Sequence, residues 1–317
     1  MIVTILNGLL PVVFAIALGL QAGRAKLLSH GDAEVLATFV IRCALPLALF
    51  EGAATTPIEK VLDFRLAACL TFGLMGSYLI ALAAGRLIFK HDLRTATMQA
   101  LVCGYPDMAY FGAPILIAVI GPAGFLPVLI GNLVTSVIMI PLTLFLTHLP
   151  DGAEPQSDTS SAVSVVGGAL ASAATNPIVW VPLLGVVQSA LRVSMPGPII
   201  AAVHIVGSAA GGTSLFALGL MLYGEKFRFN ANVVTNIAIK NFLQPLLMGI
   251  GVIMLSLTPM AAREAVITGA VPTATAAAMF ALKTRTYTKD ATATILVGTI
   301  VGVFTTAGLI AALGLLK

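Results

Sequence analysis

Runs of about 20 apolar residues, separated by short polar breaks, recur along the whole chain. An α-helix of about 20 predominantly apolar residues is long enough to cross the roughly 30 Å hydrocarbon core of a bilayer. The pattern therefore predicts an all-α polytopic membrane protein with about ten transmembrane helices. The predicted spans are Ile2–Gln21, Ala33–Ala53, Leu66–Ile88, Thr97–Ile120, Phe125–Thr147, Gly168–Val187, Ile199–Leu222, Val233–Leu257, Ala261–Leu282 and Ala291–Leu316.

A polar segment rich in Pro, Asp and Ser, residues 148–162, separates the fifth span from the sixth. Such a composition, without a hydrophobic pattern, is typical of a flexible linker. The segment divides the chain into residues 1–147 and residues 163–317, each with five predicted spans. We therefore expect two five-helix units joined by a short cytoplasmic linker.

The two units match one another without gaps at an offset of 166 positions. This offset pairs Pro11 with Pro177, Gly19 with Gly185, Phe50 with Phe216 and Pro106 with Pro272. Because five is an odd number of crossings, the second unit must enter the membrane in the opposite orientation. An inverted 5+5 repeat of this kind is typical of secondary transporters, whose sites lie between interrupted helices in corresponding positions.

Composition and charge narrow the possible class of protein further. Hydrophobic residues make up 58% of the chain and charged residues 9%, with a mean hydropathy of +1.02. Short loops on one side carry ten Lys and Arg against five on the other, which by the positive-inside rule places both termini outside. We expect a multi-pass protein of the bacterial inner membrane, and the formal charge of +4 reflects this orientation rather than nucleic-acid binding.

Several functional classes are not indicated. The first basic residue is Arg24, so Met1–Gln21 lacks the basic start of a cleaved signal and is expected to remain as a helix. The three cysteines show neither a disulfide framework nor metal-ligand spacing. Enzyme and nucleotide-binding motifs are absent, so we expect no catalytic residues, no metal and no cofactor.

The fourth span is interrupted near its centre by Pro106, Asp107, Gly112 and Pro114, and the ninth by Pro272. A proline within a helix removes a backbone donor and clashes with the preceding turn. In a membrane, such a break is tolerated only where it faces protein or a water-filled cavity. The helix that restarts after each break has free amides and a positive dipole end, which together favour an anion. The two interrupted spans together predict a substrate site.

Charged and polar side chains near the breaks complete the candidate site. Arg42 and Lys240 lie inside apolar spans, where a cation either faces a cavity and attracts carboxylates or extends to the membrane surface. Asp107 is a candidate proton carrier, counter-ion for a base, or sodium ligand. The remaining candidates are four residues that flank the breaks, Tyr105, Met108, Thr273 and Thr275, and an uncharged amide of the fifth span, Asn132.

Three stretches resemble the auxin efflux carrier family, which includes plant auxin exporters and bacterial permeases labelled as malonate or malate transporters. They are PDMAYFGAPIL (Pro106–Leu116), AVPTATAAAMFA (Ala270–Ala281) and KNFLQP (Lys240–Pro245). The resemblance covers essentially the whole chain. It implies a sodium/proton-antiporter-like fold in which the fourth and ninth helices cross, with Pro106 and Pro272 as the crossover prolines. It also implies a homodimer with a scaffold from helices one, two, six and seven and a mobile transport domain.

The resemblance also shows a departure. Asp107 occupies a position where relatives have a substrate-contacting asparagine, so an anion would be repelled there unless Asp107 is protonated. The leading hypothesis is a secondary active transporter for a small mono- or dicarboxylate such as malonate, coupled to protons and working by an elevator-type motion. The alternatives are a sodium/proton-type cation exchanger or a sodium-coupled anion symporter and, from another class, a membrane-embedded enzyme or a receptor that does not transport.

Overall fold

The computed structural model describes residues 14–55, 64–120, 124–149, 177–223 and 229–313. These ranges are helical, apart from turns, short loops and one isolated bridge between two extended residues. The helices are α1 (residues 14–24), α2 (Gly31–Thr55), α3 (Phe64–Ile88), α4 (Leu93–Gly104), α5 (Met108–Gly112 continued by Ala113–Ile120), α6 (Leu126–His148), α7 (Pro177–Ala190), α8 (Gly197–Met221), α9 (Ala231–Met254), α10 (Pro259–Ala270), α11 (Thr275–Lys283) and α12 (Thr288–Ala312).

Six helices in this part of the chain are long and apolar enough to cross a membrane: α2, α3, α6, α8, α9 and α12. They correspond to the second, third, fifth, seventh, eighth and tenth predicted spans. The all-α membrane class is thereby confirmed. The helix ends differ from the apolar runs by a few residues. For example, α12 begins at Thr288 rather than Ala291, because its first turn is polar and includes Asp290, which suits the positive end of a helix dipole.

The fourth and ninth predicted spans are each two half-helices. The fourth consists of α4 and α5, with extended backbone at Tyr105 between them. The ninth consists of α10 and α11, with extended backbone at Val271 and Ala274. Both interruptions fall at the prolines identified in the sequence, where a continuous helix would lose a backbone hydrogen bond.

Prolines also shape the helices that remain continuous. A widened π-helical turn interrupts α2 at Val40–Ala44, α6 at Thr135–Met139 and α9 at Ile239–Leu243. A proline follows the end of each turn by two positions. Because a proline has no N–H and its ring crowds the carbonyl four residues earlier, a wider turn allows the helix to continue without a sharp kink.

Parts of several sequence predictions lie outside the described residues, including the last three residues of the tenth predicted span. The structure shows the first predicted span only from residue 14, within α1, and the predicted linker only at residues 148 and 149. The sixth predicted span started at Gly168, whereas the described helix α7 covers Pro177–Ala190. The predicted division of the chain at residues 148–162 therefore stays a prediction.

Corresponding helices in the two halves have matching ends. The span Gly31–Thr55 and the span Gly197–Met221 begin and end 166 positions apart, the offset read from the sequence. The same offset relates Leu93–Gly104 to Pro259–Ala270. Equal lengths and equal spacing on both sides of the chain are what a structural repeat requires.

Two glycine contacts recur at the same offset. Gly19 of α1 packs on the backbone of α8 so closely that a Cβ would overlap the carbonyl oxygen of Phe216. Gly185 of α7 packs on α2 in the same way, and its Cβ would lie 2.6 Å from the carbonyl oxygen of Phe50. Small residues allow helix backbones to approach closely in membranes, so these glycines hold α1 against α8 and α7 against α2.

Replacing Gly19 with alanine is expected to lower the melting temperature, because the new methyl group meets a backbone atom that cannot rotate away. Overpacking of this kind costs about 1–3 kcal/mol of unfolding free energy. Gly212→Ala in α8 is the matched control, since nothing lies within 4 Å of its Cβ. Thermal unfolding of the purified protein in detergent measures both. Equal melting temperatures for Gly19→Ala and the wild type would contradict the close contact between α1 and α8.

Candidate functional site

The two interrupted helices cross at their breaks and are joined there by backbone hydrogen bonds. The Asp107 N–H donates to the Pro272 carbonyl at 2.8 Å, and the Ala274 N–H donates to the Tyr105 carbonyl at 2.9 Å. Between these bonds, Pro106 and Thr273 form an antiparallel bridge. Each break thus supplies the partners that the other break lacks, which allows unwound backbone to exist within a membrane protein.

Side chains satisfy the carbonyls at the C-terminal ends of the half-helices. The Thr273 hydroxyl donates to the Val102 carbonyl at 2.9 Å, and the Gln244 amide donates to the Gly104 carbonyl at 3.2 Å, both at the end of α4. At the end of α10, the Thr306 hydroxyl donates to the Ala270 carbonyl at 2.9 Å. The last carbonyls of a helix have no intrahelical donor, so these bonds stabilise both breaks.

The N-terminal ends of α5 and α11 lie at the same crossing, but fewer amides are free there than the sequence suggested. The amides of Asp107 and Ala274 are engaged in the crossing itself, and the Met108 N–H donates to the Pro106 carbonyl at 3.0 Å. The expectation that the first amides after each break are free to bind an anion is therefore wrong for Asp107, Met108 and Ala274. The reason is that the two breaks bond to each other, which a single-helix argument does not foresee.

Two cavities meet at the crossing. The larger has a volume of about 460 Å³ and is lined by Asp107, Thr273 and Thr275 together with apolar residues of α1, α8 and α12. The smaller has a volume of about 50 Å³ and is lined by residues of α2, α6 and α8 in addition to the crossing. Only Asp107 and Thr275 belong to the lining of both. These two residues are therefore shared by the linings of both cavities.

Eight of the ten predicted site residues lie together at this crossing. Pro272 and Thr273 line the larger cavity, and Asp107 and Thr275 line both. The other four predicted residues line only the smaller cavity: Tyr105, Pro106, Met108 and Asn132. The structure thus gathers residues from both breaks, from the starts of α5 and α11 and from α6, and these are up to about 170 positions apart in the sequence.

Arg42 does not join the other predicted residues. It lies in the π-helical turn of α2, where Val40, Ile41 and Ala44 are buried while Arg42 is exposed. The linings of the two cavities that contain Asp107 do not include it. A place for Arg42 in the site is not supported, because the side of the helix that packs inward is occupied by its apolar neighbours.

Lys240 is buried behind the crossing rather than lining it. Its side chain is 1% exposed, and its ammonium donates to the side-chain oxygen of Gln244 one turn along α9. Neither cavity that contains Asp107 is lined by Lys240.

A network of buried polar groups joins α4, α9 and α12 on the same side. The Asn236 oxygen accepts from the Gln99 amide at 2.9 Å and lies 3.4 Å from the Cys103 sulfur. The Asn236 amide donates to the hydroxyls of Tyr287 and Thr294, both at 2.9 Å. Burial raises the pKa of the Tyr287 hydroxyl, so this group stays neutral. Through these bonds, Gln99 and Asn236 link α4 to α9 and α12.

Sequence reasoning missed Ser214. This residue of α8 is buried and lines the smaller cavity, as does Asn132. It carries no signal in the sequence, because helical periodicity does not identify an inward face in helices that are apolar on every side. Elsewhere on α8, His204 lies 2.8 Å from the carboxylate of Glu51 in α2, and its side chain is exposed.

Comparison with known proteins assigns the chain to a family. The model of a family described as "Membrane transport protein" matches residues 4–310. A protein named "Uncharacterized transporter YfdV" from Escherichia coli strain K12 is 28% identical over 300 residues, covering 94% of both chains, and the same holds for its Shigella flexneri counterpart. A "Putative malonate transporter" from Rhizobium meliloti strain 1021 is 26% identical over 296 residues, covering 90% of this chain and 89% of that protein.

The family match covers nearly all of the sequence, including both interrupted helices and every residue at their crossing. Its relatives are named as transporters, in agreement with the absence of an enzyme motif. The resemblance to auxin efflux carriers is confirmed by this match. The chain belongs to the membrane transport protein family.

Proposed function

We propose that the protein is a secondary active transporter that moves a small organic anion, a mono- or dicarboxylate such as malonate, together with protons. The observation that carries this proposal is the position of Asp107 and Thr275, which line two cavities at once. A transporter must present one site alternately to two sides, so a site between two spaces suits that task. The name of the Rhizobium meliloti relative supports malonate as the first substrate to test.

The chemistry of the crossing suits an anion that travels with a proton. The N-terminal ends of α5 and α11 bring two positive dipole ends to the site. Thr275 lines the same space, and a threonine hydroxyl is able to donate to a carboxylate. The Asp107 carboxylate would repel that anion when ionised, so binding requires Asp107 to be protonated. Protonation and anion binding are therefore coupled at one residue.

The proposal also includes the arrangement of the repeats, the part that moves, the membrane and the oligomeric state. The matching helix ends support two inverted five-helix repeats, comprising residues 1–147 and 163–317 around a cytoplasmic linker. Glycine packing of α1 on α8 and of α7 on α2 supports a rigid scaffold, against which the crossing moves as an elevator. We place the protein in the bacterial inner membrane as a homodimer with both termini outside.

The coupling role of Asp107 predicts the behaviour of Asp107→Asn in proteoliposomes with an imposed proton gradient. A difference of one pH unit is worth about 1.4 kcal/mol per proton, or about tenfold accumulation of an anion that moves with one net proton. The variant is expected to bind radiolabelled malonate but to lose this accumulation, because asparagine cannot take up the proton. Asp92→Asn, an exposed position at the start of α4, is the matched control and should accumulate malonate like the wild type.

Undiminished accumulation in Asp107→Asn would contradict proton coupling at Asp107. The same vesicles test the other hypotheses when sodium is present or absent. Sodium flux without malonate, with no malonate uptake under any gradient, would indicate a cation exchanger instead. Malonate accumulation driven only by sodium would indicate a sodium-coupled symporter.

A contact between Thr275 and the substrate predicts a specific loss of affinity. A hydrogen bond to a charged group is worth about 1.5–3 kcal/mol, so Thr275→Val should raise the KM for malonate about tenfold or more. Thr275→Ser keeps the hydroxyl and should restore the KM to within a factor of a few. The concentration dependence of initial uptake measures both, with Thr55→Val on the exposed end of α2 as the control. Equal KM values for Thr275→Val and the wild type would exclude a substrate contact by this hydroxyl.

A further inference from the structure

The half-helix that follows the second break, α11, packs against α2, a helix of the proposed scaffold. Buried alanines of both helices belong to one apolar core: Ala33 and Ala37 on α2, and Ala277 and Ala281 on α11. Small apolar side chains allow helices to approach closely, but their contacts are not directional. Packing of this kind does not by itself fix one helix at a single position along the other.

Polar side chains join the same two helices at one end. The Lys283 ammonium, at the end of α11, donates to the Thr38 hydroxyl of α2 at 2.9 Å. Just beyond α11, one nitrogen of the Arg285 guanidinium donates to both carboxylate oxygens of Glu34, at 3.2 and 3.3 Å. Glu34 and Thr38 lie about one turn apart on α2. These contacts therefore hold the end of α11 at a defined position on α2.

The turn that carries Arg285 is bonded to α4 and α9. Arg285 has a φ of 53°, in the left-handed region that residues other than glycine adopt only where their surroundings hold them. Arg94 of α4 donates to the Thr284 carbonyl at 2.9 Å, and Asn236 of α9 donates to the Tyr287 hydroxyl at 2.9 Å. A displacement of these helices relative to α2 therefore separates Arg285 from its partner.

The contacts between α2 and the end of α11 lie on the membrane face that the positive-inside count assigns to the cytoplasm. The side chain of Arg285 is 80% exposed and that of Glu34 is 33% exposed. Because water and salt screen such a pair, it contributes little to the stability of the fold. A weak polar contact at the edge of a non-directional apolar interface suits a contact that is broken and made again.

We propose that Glu34, Thr38, Lys283 and Arg285 form a cytoplasmic latch, which holds α11 against α2 in the state seen in the structure and opens when the crossing moves. The inference rests on the proposed transport function, because an elevator-type motion displaces the crossing relative to α2. Opening of the latch exposes the face of α2 that α11 covers. The strength of the latch thus influences the fraction of molecules in the closed state.

Removal of the ion pair is expected to expose α2 beneath the latch. Ala37 is fully buried and lies three positions after Glu34, on the same face of α2. The probe is Ala37→Cys, combined with Cys43→Ser because Cys43 is exposed. In purified protein, Glu34→Gln or Arg285→Gln should raise the rate at which a water-soluble maleimide labels this probe. The expected rise is about two- to fivefold, the shift in the closed–open equilibrium that an exposed ion pair supplies.

Matched variants separate the latch from other effects of these side chains. The charge swap Glu34→Arg/Arg285→Glu should restore slow labelling, whereas each reversal alone should accelerate it. Lys90→Gln, which removes an exposed cation from the same membrane face, should leave the rate unchanged. Ala293→Cys reports on the buried contact between α12 and α9, and its labelling should not respond to Glu34→Gln.

The labelling requires no substrate, so faster labelling at Ala37→Cys that the charge swap reverses supports the latch whether or not malonate is taken up. Equal labelling rates with and without the ion pair would overturn the proposal. Faster labelling that the swap does not reverse, or that occurs equally at Ala293→Cys, would also overturn it, because the whole fold would then be loosened. If Ala37→Cys does not fold, Ala33→Cys, buried one turn earlier on α2, allows the same comparison.

Discussion

The structure depends on the need to satisfy unwound backbone groups inside a membrane protein. Two prolines break two helices, and each break leaves peptide groups without partners in their own helix. The exchange of hydrogen bonds between Asp107 and Pro272 and between Ala274 and Tyr105 solves this problem for both breaks together. Because neither break is satisfied alone, the two halves of the chain must meet at this point, and the site is formed from both of them.

The same constraint determines which groups face the cavities. Backbone amides near the breaks are largely used to join the two segments, so the recognition of a ligand falls more on side chains. Asp107 and Thr275 are the two residues that line both cavities. Their side chains come from different halves of the chain, one beside each proline. The backbone hydrogen bonds between the breaks therefore fix the positions of these two residues relative to one another.

The sequence predicted the helical class, the two breaks and most of the residues that meet there, because proline and charge are unmistakable in apolar runs. It could not distinguish Arg42 from Lys240, since both are cations inside apolar spans. In the structure Arg42 is exposed and Lys240 is buried. Ser214 gave no signal at all, since nothing in the local pattern shows which side of an apolar helix faces a cavity. Which side of an apolar helix faces a cavity is decided by tertiary packing.

Polar contacts hold one group of helices together, whereas apolar side chains line the cavity beside that group. Directional hydrogen bonds through Gln99, Asn236 and Gln244 tie α3, α4, α9 and α12 together at fixed geometry. The larger cavity faces α1 and α8 through apolar side chains such as Ile16 and Leu218. Apolar contacts are not directional, so they tolerate displacement better than a hydrogen-bonded network does. A body held by hydrogen bonds beside an apolar wall is therefore the part of this fold that is best suited to move as a unit.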